Sequence, residues 1–384
     1  MEAALSFEQG PIRPPSEAGS LLIRVTRNCP WNRCAFCRTY KGQKFSRRPL
    51  EEIKADIDAA KAIADRIKQM SWAAGDGGRV TRRVLSSVWS EPGVNDCFRS
   101  VALWMASGSE TVFLQDANSL ILSTDSLVSV LEHIKTTMPE VKRITSYARA
   151  ATLKAKSVED YVRLKNVGLT RLHVGMESGS DAVLKMIDKG ARSADIIEGG
   201  KRVVAAWLSL CLYLMPGIGG KSLSNENALE SARVVNAINP DFVRFRSLYV
   251  TNNTPLADMV DAGTFDPPDE DEMVEEIRLF IDSLKGVSTT LVSDHVLNLL
   301  EEVEGTLPQD KERLLGVIDS YLDLPEEDRL LFQLGRRGGA LRSVDDLTRS
   351  PATRQRLLAA KIQIEKEVPG GIPQYLREAK RRFL

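Results

Sequence analysis

Apolar positions in the middle of the chain switch repeatedly between two periods. Short runs rich in β-branched and aromatic residues predict strands at 21–26, 111–114, 143–147, 171–174, 209–214 and 242–247. Between them, apolar residues recur three and four apart and predict helices over 125–137, 158–166, 181–187, 194–206 and 226–238. A further helix opens at Arg48-Pro49-Leu50, with apolar positions at Ile53, Ile57, Ala60, Ile63 and Ile67. Strands alternating with helices imply parallel pairing through right-handed crossovers. The predicted fold class is α/β: a partial (βα)6 TIM-like barrel, two units short of the eight that close the usual one.

The flanks break this rhythm. Residues 1–20, rich in Pro, Gly and Glu, read as an irregular lead-in to a barrel spanning 21–265. Residues from about 70 to 109 read as a helical insertion. It holds an AAGDGG stretch, a helical run over 80–88, a Pro92-Gly93 break and a second run carrying Cys97, Val101 and Trp104. Past Asp266 the strand pattern stops. Helices are predicted over 270–284, 295–303, 310–322 and 325–334, so 266–384 reads as a helical C-terminal region with a break near Gly338-Gly339.

Composition narrows the function classes. A hydrophobic content of 43% over 384 residues suffices for a sizeable core. The 52 basic and 52 acidic residues cancel, so nothing in that balance favours DNA, RNA or an anionic membrane as main partner. The basic pairs Arg47-Arg48 and Arg336-Arg337 fit a solvated face. The most apolar stretch, 203–215, is interrupted by Ser209 and followed by Pro216-Gly217; it reads as buried helix and strand, not a membrane span. The start MEAALSFEQG has no apolar signal segment, so the expected location is cytoplasmic.

Five cysteines are present, and Cys29, Cys34 and Cys37 fall within nine residues. In a reducing compartment, thiols clustered this tightly point to metal and not to disulfides. Three thiolates on one loop suit an iron–sulfur cubane with one iron left open. A structural zinc site needs a fourth ligand, and His133, His173 and His295 all lie far away in sequence. Cys97 and Cys211 are isolated within a predicted helix and strand and read as core residues.

The loop Cys29-Pro-Trp-Asn-Arg-Cys34-Ala-Phe-Cys37, placed just after the first strand, resembles that of the radical S-adenosylmethionine (SAM) superfamily. The likeness is to the branch holding coproporphyrinogen oxidase-like, methylthiotransferase-like and YgiQ-like proteins, and it covers about 21–255. The first gap is four residues, where the family usually has three; the aromatic before the last cysteine is kept as Phe36. The resemblance implies an oxygen-sensitive [4Fe–4S] cluster on Cys29, Cys34 and Cys37, and SAM bound on its open iron. It further implies an electron from ferredoxin or flavodoxin and hydrogen abstraction from a small-molecule substrate.

Family landmarks carry over in chain order. Gln115, Asp116 and Asn118 stand where the family has a glycine-rich turn for the SAM amino group. Ser146 and Arg149 end the third strand, near the ribose or methionine portion. Gly175-Met-Glu-Ser-Gly-Ser180 matches a family stretch in which Glu177 would contact SAM. Lys189 would meet its carboxylate, and Met215 would line the adenine. Other roles stay open: Glu177 as a cap for the helix starting near Ser180, Lys189 as a solvated helix-end charge. On the substrate side, Arg244, Arg246, Tyr249 and the run Ser293-Asp294-His295 with Asn298 are candidates, His295 foremost; an ordinary Asp-His pair at a helix start is the alternative.

The lack of a second cysteine cluster argues against an auxiliary-cluster enzyme, and the short lead-in against a cobalamin-binding domain. The acidic stretch ahead of a basic last fifty residues argues mildly against tRNA modification. Two non-enzymatic readings remain: a heme or cofactor chaperone on the same scaffold, and a zinc-stabilised binding protein.

Overall fold

The computed structural model describes residues 5–91 and 94–381, so the Pro92-Gly93 break lies outside the described residues. The chain falls into two compact units. One comprises Met1–Arg33, Thr39–Val174 and Glu198–Leu210; the other comprises Cys34–Arg38, Gly175–Ile197 and Cys211–Leu384.

In the first unit, β1 (Leu21–Arg24) leads into a small antiparallel pair, β2 (Thr26–Arg27) with β3 (Ser46–Arg47). β1, β4 (Thr111–Gln115), β5 (Arg143–Arg149) and the opening of β6 (Leu169–Glu177) lie side by side in that order. The β1–β4 and β4–β5 pairings are parallel, with Ile23 opposite Leu114 and Phe113 opposite Thr145. Val112, Phe113 and Leu114 are all fully buried, as befits a parallel strand covered on both faces. The helix Leu50–Ala73 buries Ile53, Ile57, Ala60, Ile63, Ala64 and Ile67, one stripe at helical spacing. The expected insertion forms two helices, Arg82–Ser90 and Asp96–Ala106, capped by the side chains of Thr81 and Asn95.

In the second unit, the end of β6 is followed across the sheet by β7 (Ser209–Leu214), β8 (Phe242–Phe245), β9 (Thr290–Val292) and β10 (Gly305–Thr306). β7, β8 and β9 run parallel, and β10 is antiparallel to β9. Leu212, Val243 and Leu291 are in register and fully buried. Phe245, on the same face as Val243, packs edge-on against Phe280 of the helix Glu270–Asp282, ring centroids 5.7 Å apart. The neighbouring register row, Tyr213–Arg244–Val292, therefore faces the other way.

All six predicted strands are present, but two expectations for the C-terminal region need correction. Strands do not stop at Asp266: β9 and β10 extend the sheet. Nor is 295–303 a helix; it is a chain of turns. Arg337 donates to the carbonyls of Val296 and Leu297, both at 2.9 Å, and so takes acceptors that a helix would have used itself. The helices Lys311–Leu322, Glu326–Arg337, Pro351–Glu367 and Gly371–Arg381 complete the unit. Among the described residues, no helix is long and apolar enough to cross a membrane.

Candidate functional site

The cysteine loop starts in the first unit from a buried hub. Asp116, directly after β4, accepts from Arg24 Nε (2.9 Å) and Nη2 (2.6 Å), from the backbone N–H of Asn28 (2.9 Å) and from the Tyr40 hydroxyl. Burial and the Asp116 charge keep the Tyr40 phenol protonated. Asn28 and Asn32 both adopt left-handed backbone, and their side chains donate to the carbonyls of Lys44 and Tyr40. The loop is thus fixed at both ends of Cys29, whose Sγ accepts the Asn32 N–H at 3.4 Å. Two guanidiniums lie near the Trp31 ring, with Arg33 Cζ 4.8 Å and Arg149 Cζ 5.2 Å from its centroid.

The other sequence-derived residues of this unit are buried beside the same turn. Gln115 accepts from Gly10 N–H and donates to the carbonyls of Gly10 and Ile12, pinning the lead-in. Ser146 Oγ, buried, bonds Ser119 Oγ at 2.7 Å. Asn118 Oδ1 accepts from Arg149 N–H and the Thr152 hydroxyl, while its buried Nδ2 has no hydrogen-bond partner among the described residues.

In the second unit, Cys34–Arg38 is stitched down on both sides. The N–H of Ala35 donates to Ile187 O (2.8 Å), and the N–H of Leu256 donates to Ala35 O (3.1 Å). Ala35 joins an apolar cluster with Ile187, Met215, Ile218, Leu248 and Leu256, and Phe36 packs against it. Lys189 Nζ lies 5.9 Å from the Phe36 ring and bonds Glu177 Oε1 at 2.7 Å. Both charged side chains are about nine-tenths buried, so Lys189 is no solvated helix-end charge. Glu177 does not cap the next helix either; the Ser180 hydroxyl does, accepting Val183 N–H. The glycines of this motif make room: a Cβ at Gly175 would stand 2.4 Å from Glu177 Oε1, and one at Gly179 2.3 Å from the carbonyl oxygen of Glu230. Met215 N–H donates to Glu177 O (2.9 Å), tying the β6 and β7 ends together.

The loop after β7 hangs on a residue that sequence reasoning missed. Buried Glu276 accepts from Gly217 N–H (3.0 Å), Asn227 Nδ2 (2.7 Å) and the Ser224 hydroxyl (2.5 Å). Burial outweighs these donors and pushes its carboxyl from 4.5 up to about 7. Between those values the folded protein holds a proton that the unfolded chain lacks. This contribution to stability is therefore complete below pH 4.5 and is lost as pH rises towards 7, an effect of about 3 kcal/mol. Glu276→Gln is expected to flatten this part of the stability–pH curve in urea titrations at pH 5, 6, 7 and 8. A variant curve parallel to that of the parent would show that Glu276 does not titrate there.

On the substrate side, His295 Nδ1 accepts Leu297 N–H (3.2 Å), and burial with the charges of Arg246, Arg244 and Arg337 pushes the imidazole down to about 4. His295 sits in a turn, so the helix-start Asp-His reading does not hold. Asn298 Oδ1 accepts the Ser247 N–H and hydroxyl and its Nδ2 donates to Phe245 O, so Asn298 braces the end of β8. Ser293 donates to Leu300 O. Arg246 is exposed and Tyr249 half-buried. Arg24, Tyr40 and Glu276 left no local signal in the sequence, because the Arg24–Asp116, Tyr40–Asp116 and Glu276–Asn227 bonds each join residues at least 49 apart.

No known protein-family profile matches the chain. Among curated proteins it is similar to the tRNA uridine(34) acetyltransferase of Methanocaldococcus infernus, 27% identical over 149 residues, or 36% of this chain and 28% of that one. It is also similar to the heme chaperone HemW of Buchnera aphidicola, 24% identical over 161 residues, 42% of each chain. The chain thus spans less than half the length of these relatives. Among solved structures, the cobalamin-dependent S-adenosylmethionine radical enzyme OxsB aligns with a TM-score of 0.44 at 14% identity, over 95% of this chain and 58% of that one.

Proposed function

We propose that this chain, a member of the radical SAM superfamily, holds a [4Fe–4S] cluster on Cys29, Cys34 and Cys37 and cleaves SAM reductively to act on a small-molecule substrate. With cluster and SAM bound, one electron from the donor would break the SAM carbon–sulfur bond to give methionine and a 5′-deoxyadenosyl radical able to take hydrogen from the substrate.

The observation that carries the reading is the second unit's arrangement around Cys34–Arg38. Two backbone hydrogen bonds fix the segment bearing Cys34 and Cys37, and beside it lies the buried Glu177–Lys189 pair. A ligand with both an ammonium and a carboxylate matches that pair in charge: Glu177 would receive the ammonium and Lys189 the carboxylate. The donor set also fits the cluster. None of the three cysteines is in a disulfide, and Cys29 Sγ accepts a backbone N–H. Among the described residues, no three acidic, cysteine or histidine side chains are already gathered to hold a metal. The cluster itself would draw the thiolates in, coupling its binding to local ordering.

Within this reading Asp116 sets the start of the cysteine loop, Trp31 and Arg149 brace it, and Glu276 shapes the loop beside Met215. Gln115, Asn118 and Ser146 act as support around that turn. A ferredoxin or flavodoxin donor and a cytoplasmic location belong to the same proposal. Anaerobic reconstitution with iron and sulfide, followed by dithionite and SAM, is expected to yield 5′-deoxyadenosine. A protein that takes up zinc but no sulfide would overturn it.

The likeness to HemW favours one second reading, heme carriage. A stoichiometric shift of hemin absorbance together with an absence of 5′-deoxyadenosine would select it.

A further inference from the structure

Arg244 is the least satisfied buried charge among the substrate-side candidates. It lies on β8, on the face turned away from Val243 and Phe245, over the Tyr213 ring at 5.9 Å. The residue is 6% exposed; the Tyr213 side chain is its hydrogen-bonding neighbour, yet Nε and Nη1 meet no acceptor in good geometry among the described residues. The Asp294 carboxylate stands 3.4 Å from Nη1, close enough for attraction but not for a hydrogen bond of good geometry. A buried guanidinium with idle N–H groups calls for an anionic oxygen acceptor.

The surroundings supply more of the same chemistry. Arg246, two residues on and just past the end of β8, is exposed. Burial first, and then the charges of Arg246, Arg244 and Arg337, keep His295 neutral. With Nδ1 accepting from Leu297, the ring proton sits on Nε2, which adds a neutral donor. The opposing negative charge is partly open to water: the Asp294 side chain is about one-third exposed, and burial with the Asp294 charge pushes the Glu304 carboxyl up.

We propose that Arg244, with Arg246 and His295, binds an anionic oxygen group of the substrate, a carboxylate or a phosphate, which takes the place Asp294 now holds beside Arg244. This rests on the SAM-cleaving reading only for calling the ligand a substrate. It gives Arg244 a binding role and Asp294 that of a displaceable internal competitor.

The test is calorimetric titration of the full chain with inorganic phosphate and, separately, with succinate. One anion is expected to bind the parent protein, and which of the two binds better identifies the group. Arg244→Gln should weaken binding at least tenfold. Arg246→Gln, an exposed change that leaves the core intact, should weaken it severalfold. Asp294→Asn should tighten it severalfold, a gain that misfolding cannot produce. Failure of both anions to bind, or no tightening in Asp294→Asn, would overturn the proposal. Loss of anion binding at saturating SAM would overturn it too, by giving the site to the SAM carboxylate. The titration needs neither cluster nor turnover, so its failure and a failure of SAM cleavage are separate results.

Discussion

Cys34→Ala is expected to remove the cluster and with it all 5′-deoxyadenosine formation, while the fold survives. Three thiolates are the whole predicted ligand set, and a cubane left on two has no stable protein frame. The fold tolerates the change because Cys34 is held by its neighbours' backbone: Ala35 bonds Ile187 and Leu256 through main-chain groups that alanine at 34 leaves in place. Cys97→Ala provides the contrast. Its sulfur bonds the backbone of Phe7, with the S–H donating to Phe7 O at 3.2 Å, and burial raises its pKa, so it stays a neutral thiol. Iron and sulfide content after anaerobic reconstitution should fall to background in Cys34→Ala and stay at parental level in Cys97→Ala. A Cys34→Ala protein that keeps a full cluster would show that another residue completes the set.

Legibility in the sequence followed the range of the interactions involved. Strands such as 111–114 and 209–214 show as dense apolar runs because a parallel strand is buried on both faces. β9 was hidden because it is three residues long, though Thr289-Thr290-Leu291-Val292 between Gly286 and Ser293-Asp294 is a β-branched run with turn signals at each end. The amphipathic spacing of 295–303 is real, yet the tertiary donors of Arg337 override it. In the site, the cysteines and the Gly175–Ser180 motif could be read because their spacing is local. The Glu177–Lys189 pairing was not legible, and the resemblance alone placed both residues at one ligand. Glu276 was hidden inside the acidic run Glu270-Asp271-Glu272-Met273-Val274-Glu275-Glu276, which looks like a solvated face. Its role depends on a glycine 59 residues earlier in the chain.

The same acidic run contains the residue whose removal should cost most stability. Glu270→Ala is expected to destabilise the second unit by about 3–5 kcal/mol, the range for breaking a buried ion pair from one side. Glu270 is 5% exposed and faces two cations, Arg337 and Lys380. Arg337 gives it two hydrogen bonds, at 3.0 and 2.7 Å, and Lys380 Nζ lies 2.7 Å away. Those two charges hold its carboxyl below the usual range in spite of full burial. Alanine would leave a buried guanidinium and a nearly buried ammonium with no counter-charge. Burial already pulls the Lys380 ammonium below its ordinary value, so without Glu270 it would lose its proton more readily. The consequences reach the candidate substrate site, because Arg337 also holds the carbonyls of Val296 and Leu297 beside His295. Urea denaturation followed by circular dichroism measures the loss. Replacing Glu270, Arg337 and Lys380 together by methionine is expected to recover part of it, since no buried charge is then unpaired although the carbonyls of Val296 and Leu297 lose their Arg337 donors. A Glu270→Ala protein as stable as the parent would mean that the C-terminal helix Gly371–Arg381, which carries Lys380, does not dock on Glu270 in solution.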